Sequence, residues 1–592
     1  MRKKNIGRRI IMGLIVMAAA LTGCGKAQER MEDFHTELFG EHVYIFSPED
    51  DPAQVQAVLD GIYRTQETGQ FGQERYALYF LPGTYDESLQ VQVGFYTQVA
   101  GLGKLPTDTK IPKLQSLARW LGNDPGNHNA CCNFWRGVEN LEMQSNTVWA
   151  VSQATDMRRV QVDGALYLHD DYGWASGGFL ADSRITSMVD SGSQQQWLSR
   201  NNGYRMWMGE NWNMVFLGDE EGGVPTGTWP GKSYTPVNET ELIREKPFLF
   251  FDEKQGYQVF VPAWKTDAKG TDWESGAQPG EALSLKDFYI AKEGIDSAAT
   301  LNEALKQGKH LLFTPGIYRL DEELVITRPG TIVLGMGLAT LTPTQGNACL
   351  RSEGADGLIL AGLLMDAGTT ESETLLHLGS TTGEDAEPSL LADLYFRVGG
   401  TPTDMPAKVQ SCAVIDADRV VGDNLWVWRA DHGDQVAWNK NTARNGILLN
   451  GDHIRMYALM VEHFQEYQTV WNGEDGKCIM YQSEIPYDVP SPESWRSLGG
   501  TRDGFASFKV GEEVTSFEGT GIGIYLYNRD AIIPLHCAME IPDRAGVKVH
   551  NLITVMLTGH PGMEHGINDS GMSVLQGGQT ARIIDYENGL IK

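Results

Sequence analysis

Phe80-Leu81-Pro82-Gly83-Thr84-Tyr85 recurs further along the chain as Phe313-Thr314-Pro315-Gly316-Ile317-Tyr318, an offset of 233 residues. Past each copy, Val99-Ala100-Gly101-Leu102-Gly103 is answered by Val333-Leu334-Gly335-Met336-Gly337, an offset of 234. A helical pattern precedes each, over residues 53–62 and 298–305. The order helix, strand with a Pro-Gly turn, strand, Gly-x-Gly turn is therefore duplicated almost without insertion. A Gly-x-Gly after a strand also opens dinucleotide fingerprints, but no third glycine starts a helix here, so both pairs read as turns.

Downstream of each start the chain becomes a run of short, β-branched segments punctuated by Gly, Asn and Asp, as at 357–366, 424–428 and 446–450. Helical periodicity is scarce. Many short strands also suit a sandwich or a propeller, but these recur at roughly 20–30 residues, a solenoid period. A short amphipathic helix at each start would cover the open end of a coil stack, as terminal repeats require. The expected fold is all-β: two tandem right-handed parallel β-helices with capping helices, over residues 38–265 and 286–592. Residues 218–236 read as a long loop. Residues 266–285, rich in Gly, Pro and charge with no apolar period, read as the linker.

The first 23 residues carry a cationic start (Arg2, Lys3, Lys4, Arg8, Arg9) and an apolar run too short to span a bilayer comfortably. It ends in Leu21-Thr22-Gly23-Cys24, which resembles a bacterial lipobox with Cys24 as the acylated new N-terminus. An ordinary signal peptide with an incidental cysteine is the competing reading. The expectation is an extracytoplasmic protein tethered by residues 24–37 and meeting the membrane only through its lipid. Loss of the leader's five cationic residues takes the net charge of −29 to −34. Such a surface repels nucleic acid and polyanionic glycans and favours a neutral polysaccharide or oligosaccharide partner. The seven cysteines show no disulfide framework and no CxxC metal site, so no metal or cofactor is expected; a monomer is.

In the second half, Val461-Glu462-His463 and Tyr481-Gln482-Ser483-Glu484-Ile485-Pro486-Tyr487-Asp488 stand out. Glu462 and Glu484 are 22 residues apart, about one coil, which stacks them on one face roughly 4.8 Å apart. Two carboxylates so placed cannot both ionise easily, and the apolar surroundings of Glu484 favour its protonated form. That suits a general acid; two solvated outer-face glutamates are the competing reading. In the first half, Gln153 and Ser176 lie 23 residues apart. Stacked, an amide oxygen and a hydroxyl would hold a water, unless they form a polar ladder within the coil. Ser193-Gln194-Gln195-Gln196-Trp197 extends that face, making Gln195 a substrate contact. Trp428-Arg429-Ala430-Asp431-His432 precedes Glu462 by about a coil, and Asp431 is the runner-up carboxylate. Trp174, Trp197, Trp428 and Trp471 are candidate sugar platforms, each with burial as the alternative, and His432 a hydrogen-bonding neighbour.

These segments resemble glycoside hydrolase family 55, the tandem β-helix exo-β-1,3-glucanases (laminarinases). The resemblance rests on the duplicated start, the Ser-Gln-Ala and Ser-Gly-Gly segments, and the Glu-His…Trp-Asn-Gly…Gln-Ser-Glu-x-Pro-Tyr-Asp run, and it covers nearly all of the mature chain. It implies Glu484 as general acid, Glu462 as its carboxylate neighbour, and Gln153 and Ser176 as holders of the attacking water. It supplies no single catalytic base. The expected activity is exo-acting, inverting hydrolysis of a β-1,3-glucan at a site between the two helices. A polysaccharide lyase or pectinase would want a basic residue or an Asp cluster for Ca²⁺ beside a uronate. A non-catalytic surface glycan-binding protein would have no use for the glutamate pair.

Overall fold

The computed structural model describes residues 37–592 apart from 228, 277 and 382–385. The leader, Cys24 and almost all of the expected tether lie outside the described residues. The first half is one 17-stranded sheet wound into a parallel coil stack, from Val43–Phe46 to Tyr234–Val237. Its register advances by a coil at each turn, as in Tyr76↔Thr97 and Thr155↔Arg136. The second half builds a 13-stranded and a 9-stranded sheet facing each other across one apolar core.

Two strand patterns in the second half follow from what each sheet covers. Strands of the 9-stranded sheet have one face in the coil and one in water, so Leu324–Ile326 and Thr469–Trp471 alternate buried and half-buried residues. The middle strands of the 13-stranded sheet are covered on both faces, so Val420–Arg429 and Arg455–Glu462 are buried at every position. Their outer face packs on the first half: Ala77, Tyr79, Phe179, Leu198 and Val215 share a cluster with Ile359, Leu390, Val421, Tyr457 and Met480.

The capping helices are α1 (Pro52–Gln66) and α2 (Ala298–Lys306). Asp51 caps α1 by accepting from the Ala53 and Gln54 amides, at 2.8 and 3.3 Å. Ser297 accepts from the Thr300 amide at 3.2 Å at the start of α2. Val55, Leu59 and Ile62 of α1, and Leu301 and Leu305 of α2, point into the coil. Each such side chain contributes about 1.5–3 kcal/mol when fully buried.

The duplicated hexapeptide has a physical purpose. Tyr85 Oη donates to the Phe46 and Leu81 carbonyls at 2.7 and 3.1 Å, and Tyr318 Oη to those of Ala291 and Thr314 at 2.8 and 2.9 Å. In both copies the tyrosine ring stands edge-on to the motif's first phenylalanine, at 5.1 Å and 4.8 Å. Tyr85 and Tyr318 thus tie the turn to the preceding coil.

Two expectations need correction. Gly335 and Gly337 are not a turn but sit inside the strand Ile332–Pro343, where the register slips between Leu334 and Ala339. Gly101 likewise ends the strand Thr97–Gly101. A Cβ on Gly101 would lie 2.2 Å from the Asn140 carbonyl oxygen and one on Gly335 2.3 Å from that of Gly362, so these glycines admit the next coil. Residues 266–285 are not a plain linker. Lys265–Ala268 pairs antiparallel with Thr240–Ile243, and Gly280–Ser284 with Gly256–Pro262. Gly280–Ser284 is largely exposed at the edge of its small sheet, so its sequence carries no apolar alternation.

Candidate active site at the junction of the two coils

One register position runs through five successive coils of the 13-stranded sheet: Arg397, Trp428, Glu462, Glu484 and Tyr525. Glu462 ends the strand Arg455–Glu462 and Glu484 ends Gly476–Glu484, so adjacent parallel strands place the two carboxylates side by side. Both are buried, at 3% and 8% exposure.

Their hydrogen bonds differ. Glu462 Oε1 accepts from Gln153 Nε2 at 2.9 Å, a bond that crosses from the first coil stack to the second. Its Oε2 accepts from the Trp426 indole at 3.0 Å. Gln482 lies against the same carboxylate, short of hydrogen-bond geometry. Among the described residues no side chain donates to Glu484. Burial pushes Glu462 up to about 7, with the neighbouring amides and indole pulling it back. Burial, and then the charges of Glu462 and Asp431, push Glu484 well above the ordinary carboxylate range. The first proton to leave the pair therefore comes from Glu462, with a midpoint about neutral pH, while Glu484 keeps its own.

The first coil stack presents neutral groups. Gln153 Nε2 also reaches the Ser176 carbonyl at 3.3 Å. The Ser176 amide donates to Ser152 Oγ at 2.8 Å, and its hydroxyl lies against the Cys131 thiol. Gln194 Oε1 accepts from the Gly177 amide at 2.8 Å, and Gln196 Nε2 donates to the Ser176 carbonyl. A carboxylic acid on one wall, with an amide and a hydroxyl on the other, is equipped to protonate a leaving oxygen and present a water.

A model of the LAM55 pectate lyase-like domain matches residues 288–484. An exo-beta-1,3-glucanase from Streptomyces sp. (strain SirexAA-E / ActE) is 43% identical over 584 residues, which is 96% of this chain and 94% of that protein. The chain belongs to glycoside hydrolase family 55. The solved structure of sacteLam55A from Streptomyces sp. SirexAA-E aligns with a TM-score of 0.88 at 42% identity, over 93% of this chain and 98% of that one. A structure of a Glu-to-Ala variant of that protein in complex with glucose gives the same TM-score at 41% identity, with the same coverage.

In this family 55 member the other expected sugar contacts divide sharply. Trp174, on the loop that carries Ser176, is 58% exposed. Gln195 is half-buried, with an unpartnered Oε1. Asp431 and His432 are half-buried and bonded to each other at 2.8 Å, and His432 Nε2 lies 2.6 Å from Gln70 Nε2. Burial alone would raise Asp431, but His432 holds it below the ordinary range; Asp431 in turn brings His432 up to about 10 against its own burial. So Asp431 is an anion that raises Glu484, which does not suit it to be the acid.

Three tryptophans are corrections. Trp197 points into the first coil core and Trp471 into the second, both at inward positions of their strands. Trp428 is sealed between Trp426, at 4.9 Å, and Phe71, at 6.3 Å. None has an accessible face for a sugar. The sequence reading missed Trp426, which holds Glu462, and the half-buried Trp212, whose ring lies 5.0 Å from that of Tyr525. Tyr487, which the sequence placed in the apolar setting of Glu484, is half-buried with its ring 4.4 Å from that of His463. Tyr525 sits one coil beyond Glu484 in the same register, but 41 residues on, so the spacing that linked the two glutamates does not reach it.

Proposed function

We propose that the chain is an exo-acting β-1,3-glucan hydrolase working at the junction of its two β-helices. The observation that carries the chemistry is the asymmetry of the glutamate pair: both Glu462 oxygens accept hydrogen bonds, while Glu484 receives none from a side chain among the described residues and sits beside that charge. The substrate class follows from the exo-beta-1,3-glucanase that is 43% identical over nearly the whole chain.

In this reading Glu484 passes its proton to the glycosidic oxygen as the C1–O bond breaks. A water held by Gln153 and Ser176 attacks C1 from the opposite wall and passes its proton to solvent water as the new bond forms. Glu462 stands beside the acid rather than across the sugar from it, so it does not act as nucleophile, and the product forms with inversion. The asymmetry argues against a lyase, which needs a base at C5, and against a purely binding protein, which needs no buried acid. The test is a glycan panel with product sizing. Laminarin should release glucose stepwise from chain ends, while pectin and alginate stay intact; release of unsaturated uronides, or binding without hydrolysis, would contradict the reading.

We propose further that the protein is exported and anchored through Cys24. Cys24→Ala should abolish lipid labelling and release the protein without unfolding it. An intact N-terminus on a cytoplasmic protein would contradict this.

A further inference from the structure

Ser176 sits on a loop, not on a strand, between the exposed Trp174 and two glycines. A loop is a poor platform for a group that must fix a water, unless other side chains hold its backbone. Here they do. The Ser176 amide is taken by Ser152 Oγ, the Gly177 amide by Gln194 Oε1, and the Ser176 carbonyl by the amides of Gln153 and Gln196. Gln153 and Gln196 differ in what orients them. Gln153 is oriented by Glu462 across the junction. A primary amide can flip, and only with its oxygen pinned does Gln196 present Nε2 to Ser176. That pin is the Tyr525 hydroxyl, which donates to Gln196 Oε1 at 2.7 Å and again crosses the junction.

Tyr525 is fully buried, occupies the register position after Glu484, and packs its ring on Trp212. Among the described residues its hydroxyl has no other hydrogen-bond partner. Glu462 and Tyr525 flank the acid on successive coils, and each shares one hydrogen bond across the junction with a glutamine that holds the Ser176 carbonyl: Glu462 accepts from Gln153, and Tyr525 donates to Gln196.

We propose that Tyr525 and Gln196 are positioning residues: a latch through which the coil next to the acid sets the place of the Ser176 loop and hence of the attacking water. The latch touches neither sugar nor water. It rests on the reading that Ser176 helps hold the nucleophile.

The test is Tyr525→Phe, which removes one oxygen and keeps the buried ring. On laminarin kcat should fall about 10–100-fold, the scale of a small misplacement of reacting groups, with KM within about twofold. The loss should persist on an aryl β-glucoside whose leaving group needs no proton, because water attack is still required. Glu484→Gln, by contrast, should recover on that substrate. Gln196→Met should lose a similar factor, and the double variant little more than either single one. Loss on laminarin that vanishes on the activated glucoside would mean that Tyr525 tunes the acid and would overturn the proposal, as would near wild-type kcat. A readout independent of activity separates this from the glucanase reading. Amide hydrogen exchange over residues 173–178 should quicken at least about tenfold in Tyr525→Phe, while the strand Gly476–Glu484 stays as protected as in the wild type. Unchanged exchange in that loop overturns the latch whatever the substrate proves to be.

Discussion

The junction between the coil stacks buries two groups of carboxylates, and they are treated in opposite ways. Deep in the interface, Arg158 of the first stack makes paired hydrogen bonds to Asp393 at 2.7 and 2.8 Å and one to Asp423 at 2.6 Å. Arg200 holds Asp423 and Glu245, and Lys246 lies 3.3 Å from both Glu139 and Asp393. Burial alone would raise Asp393 and Glu245, but the guanidinium and ammonium groups win: Asp393 is held below its ordinary value and Glu245 down at about 2. Asp156, in the same region with one oxygen unpartnered, goes the other way, raised by burial and then by Asp393. At the candidate active site Glu462 meets only neutral donors, Gln153 and Trp426, Glu484 has no side-chain donor among the described residues, and both rise. Depth is the same; the partner decides. A cation turns a buried carboxylate into a clamp, and an amide facing it leaves an acid.

The largest expected effect breaks the acid side. Glu484→Gln should lower kcat on laminarin by about 10³-fold, within the range of general acid catalysis, and leave the fold intact because the shapes match. Activity near that of the wild type would remove Glu484 from the acid role. The clamp side breaks differently. Arg158→Met strands Asp393 and Asp423 in the interface without one of their counter-charges, and should cost about 3–5 kcal/mol in denaturant or thermal unfolding. A loss below about 1 kcal/mol would mean that the cluster is not a clamp.

The same contrast explains what was legible in the sequence. The duplicated hexapeptide, the capping helices and the one-coil spacing of Glu462 and Glu484 are local or periodic signals, and they placed the coils and the acid pair. The clamp was not legible: Arg158 and Asp393 stand 235 positions apart on different stacks, with no period linking them. Tryptophan burial was illegible for a related reason. Trp471, between Val470 and Asn472, reads as readily as a surface platform as a buried ring, and its position on the strand Thr469–Trp471 turns it into the core. Trp428 reads as a rim residue until Phe71, Phe134 and Trp135 of the first stack close over it.

Smaller effects sharpen the comparison. Glu462→Gln should lower kcat and move the basic limb of the pH profile to lower pH, since the variant loses the charge that helps keep the proton on Glu484. A basic limb that stays in place would mean that the two carboxylates do not interact. The smallest effect is on stability. The folded protein keeps the Glu484 proton that the unfolded chain releases above about pH 4.3, so the wild type loses stability as pH rises from there towards the folded value. Glu484→Gln avoids that loss. Its melting temperature should match the wild type near pH 4 and exceed it at neutral pH; an equal difference at both would contradict a raised Glu484.

The central claim is that the charge-bearing wall supplies only the acid, while the neutral wall of Gln153 and Ser176 supplies the water. Proton NMR of freshly released glucose tests this most directly. Hydrolysis of laminarin should give the α-anomer first, with the β-anomer growing in only by mutarotation. An initial β-anomer would mean that a carboxylate attacks C1 covalently, and would contradict the division of labour across the junction.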